Sequence, residues 1–259
     1  MRARPFRRHF ETRARMAAHG LTLFTHSLCP YAHRAALTLC EKGLSPDTFE
    51  RQVDLSDKPG DFLKVNPRGL VPTLRYADGS VITESLRIIR IIDEMDTLPR
   101  AARSLSGGAA REEILQFVDS CDAYGGFISA GLSFVGGGWG ISRGKPNENT
   151  VETLEREVER LDALLRRSSG EFLFGDNVSL ADIAIYPFAE RFQLAMREFQ
   201  SYDLGIDSNA RAFACWLAAM AARDAVKQLR PDDAKLLASW RRTKRLDYFD
   251  YETASREAP

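Results

Sequence analysis

Cys29 is the residue of this chain best placed to do chemistry, because of what surrounds it: Leu21-Thr-Leu-Phe-Thr-His-Ser-Leu-Cys29-Pro30-Tyr31-Ala32-His33-Arg34. The apolar, β-prone run Leu21–Thr25 predicts a strand. Pro30 to Lys42 predicts a helix that opens on proline, which suits the first helical position because its missing N–H would have no partner there. Cys29 then falls at the N-cap, with its sulfur towards the free N–H groups and the positive end of the helix dipole. Such a site favours a thiolate: an ordinary cysteine titrates near 8.5, whereas values at helix N-termini fall to roughly 3.5–7.5. The alternative is a small buried hydrophobe, as free cysteines often are. The order strand, turn, Cys-Pro, helix speaks for the reactive reading.

The position where a dithiol site would carry its second sulfur holds Ala32, so this is no C-x-x-C pair. A lone thiolate can attack a disulfide and hold a mixed disulfide, which an outside thiol must then release. The sequence therefore asks for a small thiol co-substrate, and glutathione is the obvious candidate. Ser27 is a rival nucleophile only if the cysteine at the helix start is incidental.

The elements that must position this sulfur follow in order. Asp47 to Val53 predicts a second strand, and a short helix runs through Phe62 and Leu63. Asn66-Pro67-Arg68-Gly69-Leu70-Val71-Pro72 forces a bend, and Pro72, which opens the next apolar run, suits a cis bond. Asp78-Gly79 between Pro72–Tyr76 and Ser80–Thr83 is a hairpin signal. Ser85 to Met95, rich in isoleucine, predicts a helix buried by the sheet. The order β-α-β-α-β-β-α resembles a thioredoxin-like α/β domain, here 21–97, with a linker at 98–110.

An all-α domain is expected over 111–240. Ile114, Leu115, Val118 and Cys121 share one helix face, and Val151, Leu154, Val158, Leu161 and Leu165 form a stripe on another. The glycine-rich run 136–140 is a loop between them. Ser179 and Asp182 have the spacing of a capping box, with Val178 as staple to Ile183; out of context the pair looks catalytic, but it fits a helix start far better. Arg211 to Val226 predicts one further helix with Phe213, Trp216, Leu217 and Met220 inward, and a packed helix carries Trp240. Residues 241–259 are a tail. Residues 1–20 carry six arginines against the single acid Glu11. They have the composition of a basic tail or of an organelle transit peptide, although serines are missing.

Composition excludes several classes. The chain has 259 residues, 44% apolar and 28% charged, with zero net charge, which gives no reason to expect a nucleic-acid partner. No apolar run approaches the roughly 18–20 residues of a membrane span. Its four cysteines are scattered and its four histidines lie within the first 33 residues, in no metal-ligand or disulfide pattern. A reducing compartment is expected: the cytoplasm, or a plastid or mitochondrion if 1–20 is a transit peptide.

Taken together, the motifs resemble the glutathione transferase superfamily over roughly 21–230. Cys29-Pro30-Tyr31-Ala32-His33-Arg34 is similar to the active-site motif of its cysteine classes: omega, lambda, the dehydroascorbate reductases and the glutathionyl-hydroquinone reductases. Glu84-Ser85-Leu86 with Ile91-Ile92-Asp93, and Ser179 to Ala184 with Pro187 to Gln193, are most like the lambda class. The resemblance implies roles. Cys29 would hold the mixed disulfide, and Val71, before a cis Pro72, would pair through its backbone with the cysteinyl part of glutathione. Glu84 and Ser85 would bind the γ-glutamyl end, Lys58 would match an omega-class glutathione contact, and Asp182 would cap the helical domain. It further implies an acceptor pocket, to which Tyr31, Phe127 and Trp139 are assigned, for a small hydrophobic or glutathionylated substrate. The expected activity is glutathione-dependent thiol transfer or reduction by a monomer (a homodimer being the alternative), with little conjugation; the rival reading is a non-catalytic carrier of aromatic ligands.

Overall fold

The structure, a computed structural model, describes residues 20–100, 103–123, 125–136, 141 and 146–243. The basic leader, Trp139, most of the glycine-rich loop and residues 244–259 lie outside them. Among the described residues the chain forms two compact units, divided between Ser104 and Leu105.

The first unit is a four-stranded mixed sheet with helices. Strand β1 (Leu21–Thr25) leads into helix α1 (Pro30–Glu41), and β2 (Glu50–Gln52) then pairs parallel to β1, with Thr25 opposite Gln52. A parallel neighbour needs a crossover, and α1 supplies it. The strand expected from Asp47 starts late, because Pro46 opens a 3₁₀ turn, Pro46–Thr48, before Phe49 turns the chain into the ladder. Helix α2 (Gly60–Val65) follows, then β3 (Thr73–Tyr76) antiparallel to β1 with Phe24 opposite Thr73. The Asp78-Gly79 turn returns β4 (Val81–Ile82) beside β3; Asp78 Oδ1 accepts from Ser80 N at 2.8 Å, and Gly79 takes φ +89°. The strand order is β2-β1-β3-β4.

Helix α3 (Ser85–Glu94) buries Ile88, Ile89 and Ile92 and packs beside α1. Phe24 on β1 stacks on Phe62 of α2 with ring centroids 5.1 Å apart, and Val53 completes that cluster.

The second unit is helical: α4 (Arg111–Ser120), α5 (Phe127–Val135), α6 (Glu148–Arg167), α7 (Leu180–Gln200), α8 (Arg211–Ala222), α9 (Asp224–Leu229) and α10 (Asp233–Thr243). The stripes expected on α4 and α6 face inward: Ile114, Val118, Leu154, Val158, Leu161 and Leu165 are buried. Helix α7 is buried along most of its length and is started by the capping box. Asp182 Oδ2 accepts from Ser179 N at 2.8 Å, while its Oδ1 takes Leu173 N at 3.0 Å and the Trp216 indole N–H at 2.8 Å.

One expectation needs correction, and one helix was not expected. The helix drawn from Arg211 to Val226 is broken at Arg223, whose ψ of 140° ends α8 and starts α9. Continued without a break, the face of Phe213, Trp216 and Met220 would have carried Arg223, Asp224 and Lys227 into the core. The break turns Ala225 and Val226 inward instead. The helix without an expectation is α5. Its run FISAGLSFV is short and mostly apolar, with only Ser129 and Ser133 to mark an outward face, and it contains Gly131. That glycine is a packing requirement: a Cβ there would stand 2.2 Å from the Phe192 ring of α7.

Candidate active site

The sheet directions carry four loops to one end of the first unit. β1 runs towards Cys29 and β2, parallel to it, runs towards Lys58. Antiparallel β3 begins at that end, just after Val71-Pro72, and β4, antiparallel in turn, finishes there at Glu84-Ser85. Topology alone therefore assembles Cys29, Lys58, Val71, Pro72, Glu84 and Ser85.

Side-chain contacts tie the loops to one another. Cys29 is the N-cap of α1 and is 1% exposed; its N donates to His26 O at 2.9 Å and its carbonyl accepts from His33 N at 3.0 Å. The Val71–Pro72 bond is cis. Asn66 braces the segment before it, donating from Nδ2 to Leu70 O at 3.1 Å and to Thr73 Oγ1 at 2.9 Å. Gly69 takes φ +63° under the Lys58 side chain, whose Nζ lies 3.2 Å from where a Cβ would stand, so Lys58 does reach this loop. Glu84 holds φ +69°, a costly conformation for a residue with a Cβ, and pairs with Arg68 Nη1 at 3.0 Å. Ser85, at the start of α3, accepts from Arg34 Nη1 at 3.1 Å.

The remaining candidates fare differently. Tyr31 is half-buried on the first turn of α1, with the Arg34 guanidinium 5.4 Å from its ring centroid. Phe127, 2% exposed, sits edge-on to Phe192 and Phe213 in the helical unit, so packing uses its ring and we drop it from the acceptor pocket. Ser179 and Asp182 form the helix start described above.

Three residues escaped the sequence reading. Arg68 holds Glu84, Arg34 holds Ser85, and Gln52 Oε1 accepts from Ser27 N at 3.1 Å, bracing the turn before Cys29. For Arg34 a signal existed, since a cation on the inward face of an otherwise apolar helix needs a partner.

Gln52 also links that turn to a titrating group, donating from Nε2 to Glu50 Oε2 at 3.2 Å. Burial pushes the Glu50 carboxyl up to about 7, against the pull of the Gln52 hydrogen bond. An unfolded glutamate titrates near 4.3. Between about pH 4.3 and 7 the folded chain holds a proton that the unfolded chain has released, so stability falls as pH rises through that window. Glu50→Gln is expected to flatten this part of the profile of urea midpoint against pH; an unchanged profile in the variant would remove Glu50 as its cause.

The family model described as glutathione S-transferase, N-terminal domain matches residues 28–95, and the C-terminal domain model matches 146–243. The chain belongs to the glutathione S-transferase family. The expected architecture, a thioredoxin-like domain followed by a helical one, is that of the family. It is similar to glutathione S-transferase L1 of Arabidopsis thaliana, 29% identical over 85% of this chain and 86% of that one. It is also similar to the probable cytosolic glutathione S-transferase DHAR1 of Oryza sativa subsp. japonica, 26% identical over 82% and 88%. Among solved structures, the trimeric glutathione transferase TDR1 of Leishmania superposes with a TM-score of 0.71 at 25% identity. That match covers 86% of this chain, which spans 47% of the Leishmania protein.

Proposed function

We propose that this transferase moves glutathione between sulfurs through Cys29. The thiolate attacks the glutathione sulfur of a glutathionylated substrate; the new bond is Cys29–S–SG, the old disulfide breaks, and the reduced substrate leaves with the electron pair as its thiolate. A second glutathione thiolate then attacks the Cys29–S–SG bond, releasing glutathione disulfide and restoring the Cys29 thiolate. Val71 would hold the cysteinyl backbone, Glu84 and Ser85 the γ-glutamyl end, and Lys58 would contribute from the side of Gly69. Tyr31 remains the acceptor-pocket candidate among the described residues.

The observation that carries the reading is Cys29 at the N-cap of α1, followed by proline. A helix N-terminus stabilises an anion there, and the ionised sulfur is the attacking species. Enclosed as it is, this sulfur is suited to reacting with a seated ligand rather than with whatever strikes the surface. The relatives named L1 and DHAR1 support a glutathione-dependent activity of this general kind. We keep a monomer in the cytoplasm as the working form, with 21–97 as the glutathione domain and 111–240 as the helical domain.

The test is intact mass after exposure to glutathione disulfide. One added glutathione, located on Cys29 by peptide mapping, is the expected result. No adduct, in a protein that still binds glutathione, would overturn the transfer reading in favour of a carrier.

A further inference from the structure

Arg34 has no part in the chemistry above, yet its position bears on where glutathione would sit. Its side chain is fully buried, a rare state for a guanidinium unless its hydrogens and charge are answered. One answer is Ser85: Arg34 Nη1 donates to Ser85 Oγ at 3.1 Å, joining α1 to the first residue of α3.

A serine hydroxyl has one proton and two lone pairs. With a lone pair already engaged by Arg34, Ser85 Oγ is fixed in place and its own proton turns away from the guanidinium. The N-cap residue Glu84 makes no side-chain cap to α3, so the first-turn N–H groups of that helix are not capped by it. The hydroxyl proton and the helix start then offer donors together to an anion. The buried charge of Arg34 behind the hydroxyl adds to the same field, and it acts in a region that solvent does not screen.

We infer that Arg34 is a positioning residue for the α-carboxylate of the γ-glutamyl group, holding Ser85 as a donor and placing a buried positive charge behind it. The inference rests on the proposed glutathione site and adds to it a residue that never touches the ligand. It also accounts for why a cation sits on the inward face of the helix that carries the nucleophile.

The experiment is calorimetric titration with two probes that cannot form disulfides. One is S-methylglutathione; the other is S-methylcysteinylglycine, which lacks the γ-glutamyl group. Arg34→Met is expected to weaken S-methylglutathione about tenfold or more while leaving the truncated probe within about twofold of wild type. Arg34→Lys keeps the charge and loses the planar fork, so it should give an intermediate loss, again for the full probe only. Ser85→Ala should lose about as much as Arg34→Met, and the double variant little more than either, since the two act as one unit.

Equal losses for both probes would reduce Arg34 to a structural role and overturn the inference. So would losses of Arg34→Met and Ser85→Ala that multiply. If Arg34→Met fails to fold by circular dichroism, Arg34→Lys carries the same comparison with the same two readings. A wild type that binds both probes equally would instead overturn the γ-glutamyl site itself.

Discussion

Cys29→Ser is expected to lower turnover with hydroxyethyl disulfide or dehydroascorbate by roughly 10³-fold or more, as loss of a sole nucleophile does elsewhere. A serine oxygen forms no stable bond to glutathione sulfur, so the mixed disulfide disappears with it. The variant should nevertheless gain something. A hydroxyl at the same N-cap can hydrogen-bond a glutathione thiolate instead of coupling to it, so conjugation to 1-chloro-2,4-dinitrobenzene should rise from a low base. Stability should hold or improve, because serine is a preferred N-cap residue and Cys29 makes no cap bond of its own. Stopped assays with each substrate, alongside a thermal melt, test all three. Wild-type reductase turnover in the variant would remove Cys29 from the mechanism.

The signals that were legible in the sequence are short-ranged. Cys29-Pro30 after an apolar pentapeptide marks a strand, a turn and a helix start within about ten residues, and the local chemistry of proline and of the dipole suffices to assign them. The same holds for Asp78-Gly79, for the Pro72 bend and for Ser179 with Asp182. What escaped depends on partners far along the chain. Arg34 finds Ser85, and Lys42 finds Asp93, each across 51 positions, and no periodicity encodes such pairs. Helix α5 escaped because a nine-residue run with only Ser129 and Ser133 to mark its outward face gives a weak phase, and only Phe192 explains its glycine. The break at Arg223 escaped because an alanine-rich helix gives no local reason to stop; the reason is which residues the core will accept.

Lys42→Met is expected to cost the fold about 3–5 kcal/mol, the range found when one partner of a buried pair is removed. For a chain of this size that is a fall on the order of 10 °C in melting temperature. Lys42 is fully buried at the C-cap of α1, and its Nζ donates to Asp93 O at 2.8 Å, Asp93 Oδ1 at 3.3 Å and Arg103 O at 2.9 Å. An ammonium has three hydrogens, and these oxygens are among their acceptors. Methionine fills the volume but strips Asp93, itself 5% exposed, of the Lys42 ammonium, although Ser104 Oγ still donates to it at 3.3 Å. The consequence should reach the active site, because α1 and α3 run side by side in the same direction, joined by Arg34 and Ser85 at one end and by Lys42 and Asp93 at the other. Cys29 and Ser85 stand at the starts of these two helices, so loosening their far ends should weaken S-methylglutathione binding along with stability. Asp93→Leu added to Lys42→Met removes the stranded charge and should recover at least half of both losses, since a buried ion pair replaced whole by apolar groups is often nearly neutral. Urea titrations at constant m-value measure the first quantity and calorimetry the second. A single variant within about 0.5 kcal/mol of wild type would show that the Lys42–Asp93 pair does not hold the two helices together.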